Sequence, residues 1–578
     1  MADPISALRP RFAAALAAAF GAEHAGVDPV LRPSGQPRFG DYQANVAMSL
    51  ARALGRPPRE VAGAIVDHLD VAALCEPPTV AGPGFINLRL LPAYLAAEVA
   101  AMAGDARLGV TPAAAPQTVV VDYSGPNVAK EMHVGHLRST VIGDALTRVL
   151  ELLGHRVVRQ NHLGDWGTPF GMLLEHLVEL GAEAGAAASI ADLDEFYQQA
   201  RAKFDSDRGF AERARLRVVA LQSGDPSTLA LWRGLVEESE RHFQSVYARL
   251  GVTLTDADVR GESSYNDLLD DSVAELEAKG LVRVDEGALC AYPPGFTGRD
   301  GEPLPLIVRK RDGGYGYAAT DLAALRYRTC ELGADRVAYV VDARQSQHFA
   351  MLFAVATQAG WLDGRRAEHV AFGTLLGPDG RPFRTRAGGT VKLRDLLDDA
   401  VERAAAVVSR SRPDLGTEAV ADVARAVGIG AVKYADLSND RLKDYVFDWD
   451  RMLAMEGNTA PYLQYAHARI RSIFRKGGEE APAAAGVTVA EPAERALALR
   501  LVSLDGVIQA TAEHLQPHRL CTYLFDLASD FTSFYEQCPV LRAGSPELRA
   551  SRLALCDLTA RALSLGLGLL GIEAPERM

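Results

Sequence analysis

Residues 118–159 read TVVVDYSGPNVAKEMHVGHLRSTVIGDALTRVLELLGHRVVR, and the fold turns on this stretch. Thr118 to Tyr123 is a β-branched run with the pattern of a buried parallel strand. Leu137, Val141, Ala145, Val149 and Leu153 then recur at helical spacing until Gly154 stops the helix. Arg156 to Gln160 supplies a second strand. A strand–helix–strand unit leaves a loop and a helix N-terminus at the carboxyl end of its first strand, where open α/β sheets bind ligands. His133 and His136 stand there, with Gly135 between them. Two imidazoles can donate to phosphate oxygens while negative charge moves onto a leaving pyrophosphate, and the helix dipole assists. Gly135 lets a flat base lie against the backbone. A bare H-x-G-H is more often a loop with incidental histidines, but the strand before, the helix after, and Asn127 and Lys130 inside the loop predict a nucleotide triphosphate site.

Further along, Gly377 to Thr390 is a glycine-rich loop carrying Arg381, Arg384 and Arg386. Arginine forks match phosphate oxygens, and flanking glycines let such a loop open and close over a triphosphate. Taken alone it reads better as a solvated basic turn. Tyr317 and Asp321 open a helix, and Gln345 follows the next strand candidate. A planar cation requires paired acceptors, which a carboxylate, a phenol and an amide together supply. Composition alone leaves Asp321 equally well explained as a helix N-terminal carboxylate. His162 to Thr168 closes the second strand and is expected to shape the cleft floor, or to serve only as a strand-to-helix turn.

The chain of 578 residues exceeds one core, so three or four domains are expected. A net charge of −13 argues against indiscriminate nucleic-acid binding but allows a local basic face. The 6 cysteines are scattered without a C-x-x-C pair, which fits reduced thiols and gives no zinc signature. The alanine-rich run after Arg9 and Arg11 reads as an amphipathic helix rather than a signal peptide, and no segment suits a membrane span. The expected domains are 1–115, 116–395 with an insertion at about 170–282, and 396–578. The first carries helical patterns at Ile5 to Phe20, Asp41 to Leu54 and Arg59 to Leu69. The second is a doubly wound sheet with further strands at Leu306 to Val308, Val337 to Val341 and Val370 to Phe372. The third is a helical bundle interrupted by a polar loop at Gly477 to Pro492.

At residues 122–146, DYSGPNVAKEMHVGHLRSTVIGDAL, the chain resembles class I aminoacyl-tRNA synthetases, and the arginine-specific branch in particular. The resemblance extends over essentially the whole length. It implies an α/β fold with a Rossmann-type catalytic domain, an α+β N-terminal domain and an all-α anticodon-binding bundle. It further implies ATP-dependent ligation of L-arginine to tRNA(Arg) through an arginyl-adenylate, with Mg²⁺ carried by the nucleotide and no protein-bound zinc. By the same resemblance His133, Gly135, His136, Gly373 and Phe383 bind ATP. Asp122, Ser124, Asn127, His133, Glu262, Tyr317, Asp321 and Gln345 bind arginine, Glu262 and Asp321 meeting its guanidinium. Catalysis is assigned to Lys130, His133, His136, Arg384 and Arg386. The usual lysine-serine loop is absent here, and the resemblance implies that Lys130 takes over part of its role. Phe85, Asn87, Tyr462 and Ala466 would contact tRNA, whereas Tyr465 reads as bundle core. Activation is expected to need bound tRNA, in a cytoplasmic monomer. Two alternatives are an inactive tRNA-binding paralogue and a cysteine-specific synthetase; the latter requires a thiolate-bound metal that the scattered cysteines do not suggest.

Overall fold

The computed structural model describes residues 3–181, 193–298, 300–384, 391–478 and 486–578. They group into two compact units, one of residues 113–453 with 569–572, the other of 1–112, 454–568 and 573–578. The first contains the parallel sheet: β1 (Thr118–Asp122), β2 (Arg156–Gln160), β3 (Arg336–Tyr339) and β4 (Arg366–His369), in the spatial order β4-β3-β1-β2. From β1 the chain passes through helix α1 (Val134–Leu152) to β2 on one side. It reaches β3 on the other side only after the insertion, so the winding reverses between β1 and β3. Ligands of such sheets lie in the crevice at that reversal. Val119, Val120 and Val121 are fully buried, as a strand covered on both faces requires. Gly143 lets α1 lie on β1's exit, since a Cβ there would run into the Tyr123 ring.

The insertion is helical as expected, with Pro169–Glu179, Leu193–Ser206, Arg208–Gln222 and the long α2 (Pro226–Leu250). Three expectations need correction. Leu306 to Val308 is a strand, but Leu306–Arg309 pairs antiparallel with Ala288–Ala291 in a separate sheet that also holds Val282–Asp285. Leu306 and Val308 are buried while Ile307 is exposed, the alternation of a half-solvated antiparallel strand. The outer strand of the main sheet ends at His369, before the apolar run Val370 to Phe372 that had suggested it. Asp41 to Leu54 is not one helix: Tyr42–Ala44 pairs with Phe85–Leu88, and the helix begins at Val46. Gly40, at φ 100°, makes the turn possible by lying against the Leu88 carbonyl.

The break expected at 395/396 does not coincide with the division into units. Helix α4 (Leu393–Ser411) and helix α5 (Thr417–Leu437), numbered after α3 (Tyr317–Arg326), pack with α1 in the sheet unit. A buried pair holds them: Arg138 of α1 meets Asp436 of α5 at 3.2 Å, and the Tyr445 hydroxyl donates to the same carboxylate. The other unit joins the four-stranded antiparallel sheet of the N-terminal segment to the C-terminal helices. Arg495 pairs with Asp41 and donates to the Leu90 carbonyl, Arg561 donates to the carbonyls of Ala103 and Asp105, and Thr111 bonds Asp505. Among the described residues no helix is long and apolar enough to cross a membrane.

Candidate active site

Side-chain hydrogen bonds hold the loop between β1 and α1. Ser124 and Ala129 sit at φ 73° and 62°, conformations that the surroundings have to enforce. The Ser124 amide donates to Ser139 Oγ, the Gly125 amide to Asn161 Oδ1 and the Ala129 amide to Ser239 Oγ on α2. Ser124 Oγ lies 2.7 Å from the Tyr247 hydroxyl and accepts from Thr140, so this hydroxyl is engaged in shaping the loop. Asn127 is exposed at the loop's crest and makes an isolated bridge to Gly164.

His133 caps α1, and both histidines turn Nδ1 to the backbone. The Gly135 amide donates to His133 Nδ1 at 3.0 Å, and the His133 amide donates to His136 Nδ1 at 3.1 Å. A ring nitrogen that accepts carries no proton, so each neutral imidazole holds its proton on Nε2. Burial lowers the His133 pKa, and burial followed by the neighbouring His133 pushes His136 down to about 3. The result is two neutral N–H donors with centroids 4.0 Å apart at a helix N-terminus, beside the exposed backbone of Gly135. Such a pair can stabilise charge on phosphate oxygens without itself gaining or losing a proton. Lys130 lies in the same loop, its Nζ 4.3 Å from the Tyr197 ring centroid.

The segment after the arginine loop returns to this place. The Val134 amide donates to the Val391 carbonyl, the Leu393 amide to the Met132 carbonyl, and Lys392 Nζ lies 3.3 Å from Glu131 Oε2. Sequence reasoning passed over Lys392, although it is the first lysine after the lysine-free loop. Arg384 is exposed, and Arg386 lies outside the described residues. Phe383 stacks on Phe447 with centroids 4.8 Å apart. Gly373 meets the backbone at Lys443 and the Asp444 side chain so closely that a Cβ has no room, which gives this glycine a packing role.

Acidic groups gather at the carboxyl ends of the strands. Glu262 lies on a short turn whose shape Asp165 dictates: the Ser263 amide and hydroxyl both donate to the Asp165 carboxylate, at 2.8 and 2.6 Å. Asp165 thus acts through that turn. Burial, then Asp165, then Asp321 raise the Glu262 carboxyl to about 8. Asp321 is on α3 with its Oδ2 2.6 Å from His348 Nε2. Glu262 and Asp321 repel each other as anions, so a delocalised cation between them is favoured over two separate charges. Tyr317, at the first turn of α3, is 78% exposed, and Gln345 is exposed after β3. Asp122 is paired with Arg328 at 2.7 Å.

In the other unit, Phe85 is half-buried, while Asn87 is buried and accepts from Gln43 Nε2. Tyr462 is half-buried near Phe525, and Ala466 is buried. The expectation for Tyr465 is overturned: it is 43% exposed, because positions 463, 466, 467 and 470 take the inward face of helix Ala460–Gly477.

A doubly wound sheet with a paired-histidine signature at its switch point is the arrangement of the class I synthetase catalytic domain, and the family model "tRNA synthetases class I (R), catalytic domain" matches residues 99–449. The "Arginyl tRNA synthetase N terminal domain" matches 6–90 and the "DALR anticodon binding domain" matches 463–578. The arginine–tRNA ligases of Thermobifida fusca and of a Synechococcus strain are 58% and 53% identical, each comparison covering 100% of both chains. Among solved structures, the arginyl-tRNA synthetase of Plasmodium falciparum has a TM-score of 0.85 at 28% identity, covering 100% of both chains. That of Thermus thermophilus scores 0.80 at 29% identity, over 99% of this chain and 100% of its own. The chain belongs to the class I arginyl-tRNA synthetase family.

Proposed function

We propose that the protein ligates L-arginine to tRNA(Arg) at the expense of ATP. The observation that carries this reading is one unit combining two neutral Nε2–H donors at a helix N-terminus with the Glu262–Asp321 acid pair. A carboxylate oxygen of arginine attacks the α-phosphorus of ATP. The bond from that phosphorus to the bridging oxygen breaks, and pyrophosphate leaves. A ribose hydroxyl at the tRNA end then attacks the arginyl carbonyl and releases AMP.

The side chains do little covalent work in the first step, so positioning and charge stabilisation supply the rate. His133 and His136 donate to phosphate oxygens, Gly135 admits the base, and Lys130 leaves the Tyr197 ring to meet the growing charge. Arg384 and Arg386 close over the nucleotide, Gly373 and Phe383 border it, and Mg²⁺ arrives on the phosphates. Glu262 and Asp321 receive the guanidinium, with Tyr317 and Gln345 closing the pocket and Asp122, Ser124 and Asn127 facing the α-amino end. Lysine cannot satisfy such a pocket, because its ammonium has no planar fork. Phe85, Asn87, Tyr462 and Ala466 are proposed to lie along the tRNA path, and the exposed ring of Tyr465 adds a stacking surface. The protein acts as a cytoplasmic monomer in this reading, and activation waits for tRNA. Arginine-dependent exchange of pyrophosphate into ATP tests the last point: exchange appears on adding tRNA(Arg), and full exchange without it contradicts the proposal.

A further inference from the structure

Arg328 has no role in that scheme, yet it is fully enclosed, at 0% exposure. It lies in a π-helical turn, Tyr327–Glu331, that continues α3 seven residues beyond Asp321. Such turns frequently mark functional sites. Its guanidinium meets the last residues of three adjacent strands. Nη1 is 2.7 Å from Asp122 Oδ2, Nε donates to Gln160 Oε1 at 2.6 Å, and Cζ lies 4.9 Å from the Tyr339 ring centroid. Asp122 is the cross-strand neighbour of Gln160 on one side and of Tyr339 on the other. One cation therefore spans a single row of the sheet at its carboxyl edge, across the point where the winding reverses. Tyr265, three residues after Glu262, reaches the same Gln160 oxygen at 3.5 Å and stacks on His162. The strands and turns that carry the acidic groups of the pocket thus converge on this guanidinium.

Stability alone gives a poor reason for the arrangement, since a buried ion pair is often matched or bettered by apolar residues of similar volume. We infer that Arg328 is a positioning residue for arginine activation, holding Asp122 by one carboxylate oxygen so that the other is presented to the α-ammonium of the substrate. This rests on the proposed function. The ion pair engages one oxygen of Asp122, and the substrate ammonium completes the charge balance at the other. Arg328 acts through Asp122, so its removal is expected to weaken arginine binding while leaving ATP binding unchanged.

Steady-state charging by wild type, Arg328→Lys, Arg328→Met, Asp122→Asn and the double variant Asp122→Asn/Arg328→Met tests the inference. Arg328→Met is expected to raise KM for arginine about tenfold or more, with KM for ATP unchanged and kcat within about threefold. Arg328→Lys, which keeps the charge and loses the fork, falls between it and wild type. The double variant is expected to match Asp122→Asn alone, because a residue acting through Asp122 adds nothing once that carboxylate is gone. Independent effects that multiply in the double variant overturn the inference, as does a lower melting temperature with unchanged KM for arginine. If Arg328→Met alone fails to fold, the double variant, which buries no unpaired charge, carries the comparison. Failure of every Arg328 variant to fold beside a folded Asp122→Asn makes Arg328 a structural staple and also overturns it. A wild type that charges no arginine overturns the proposed function instead.

Discussion

Glu262 carries a proton at neutral pH, since burial and the flanking Asp165 and Asp321 raise its carboxyl to about 8. A guanidinium seated between Glu262 and Asp321 favours the carboxylate, so arginine binding expels that proton. The sign follows: affinity strengthens as pH rises toward about 8 and levels off above it, by up to about tenfold per pH unit below that point. Measuring KM for arginine from pH 6 to 9 checks this, and calorimetry at pH 7 in buffers of different ionisation enthalpy should register the released proton. His136 behaves oppositely, staying neutral throughout because burial holds it at about 3. His136→Ala is expected to lower kcat by about a hundredfold with no new ionisation in the pH profile. Lys130→Ala should lower kcat by a similar order; unchanged kcat means that another cation, Lys392 foremost, fills the lysine role. The histidines were legible because they lie together in the sequence beside a strand and a helix. Asp321 was readable as an acceptor but equally as a helix N-terminal carboxylate, and Glu262, far from it in the chain, became legible only through family resemblance. Arg328 and Lys392 were not, since a buried arginine inside a helical pattern and a lysine past a loop have no local signature.

Helix α1 is the element on which the site depends, and Arg138 fastens it to α5 and to the Lys443 carbonyl. Asp436→Ala leaves that guanidinium buried without its carboxylate, and the expected loss of stability is about 3–5 kcal/mol, read by chemical denaturation. A loss below about 1 kcal/mol contradicts the importance given to this pair. The period of the apolar pattern revealed α1, β1, β2 and the helical insertion correctly. It failed where tertiary pairing decided the outcome. Leu306–Arg309 is apolar enough for either sheet, and only its partner Ala288–Ala291 settles the choice. Tyr42–Ala44 sits in a stretch with helical spacing, yet hydrogen bonding to Phe85–Leu88 draws it into a strand.

Across the whole chain, three family matches follow the order expected from the sequence, while the compact units cut across the expected boundaries. The reason is that boundaries were read from composition, whereas pairs such as Arg495 with Asp41 join residues distant in sequence. The same unit contains Asp3, raised to about 6 by burial and by Asp505 beside it. Its folded-state value exceeds the unfolded one, so this contribution is present at low pH and is lost as pH rises through about 6. Asp3→Asn is therefore expected to raise the melting temperature at pH 8 and leave it nearly unchanged at pH 4; an equal shift at both contradicts the assignment. The central claim is arginine-specific ligation, and the most direct measurement is charging of tRNA(Arg) by the purified protein with each amino acid in turn, at saturating ATP and Mg²⁺. Alkali-labile arginyl-tRNA, an ester, is expected with arginine alone and is strongly reduced in Glu262→Gln. Charging with another amino acid, or none with arginine, contradicts it.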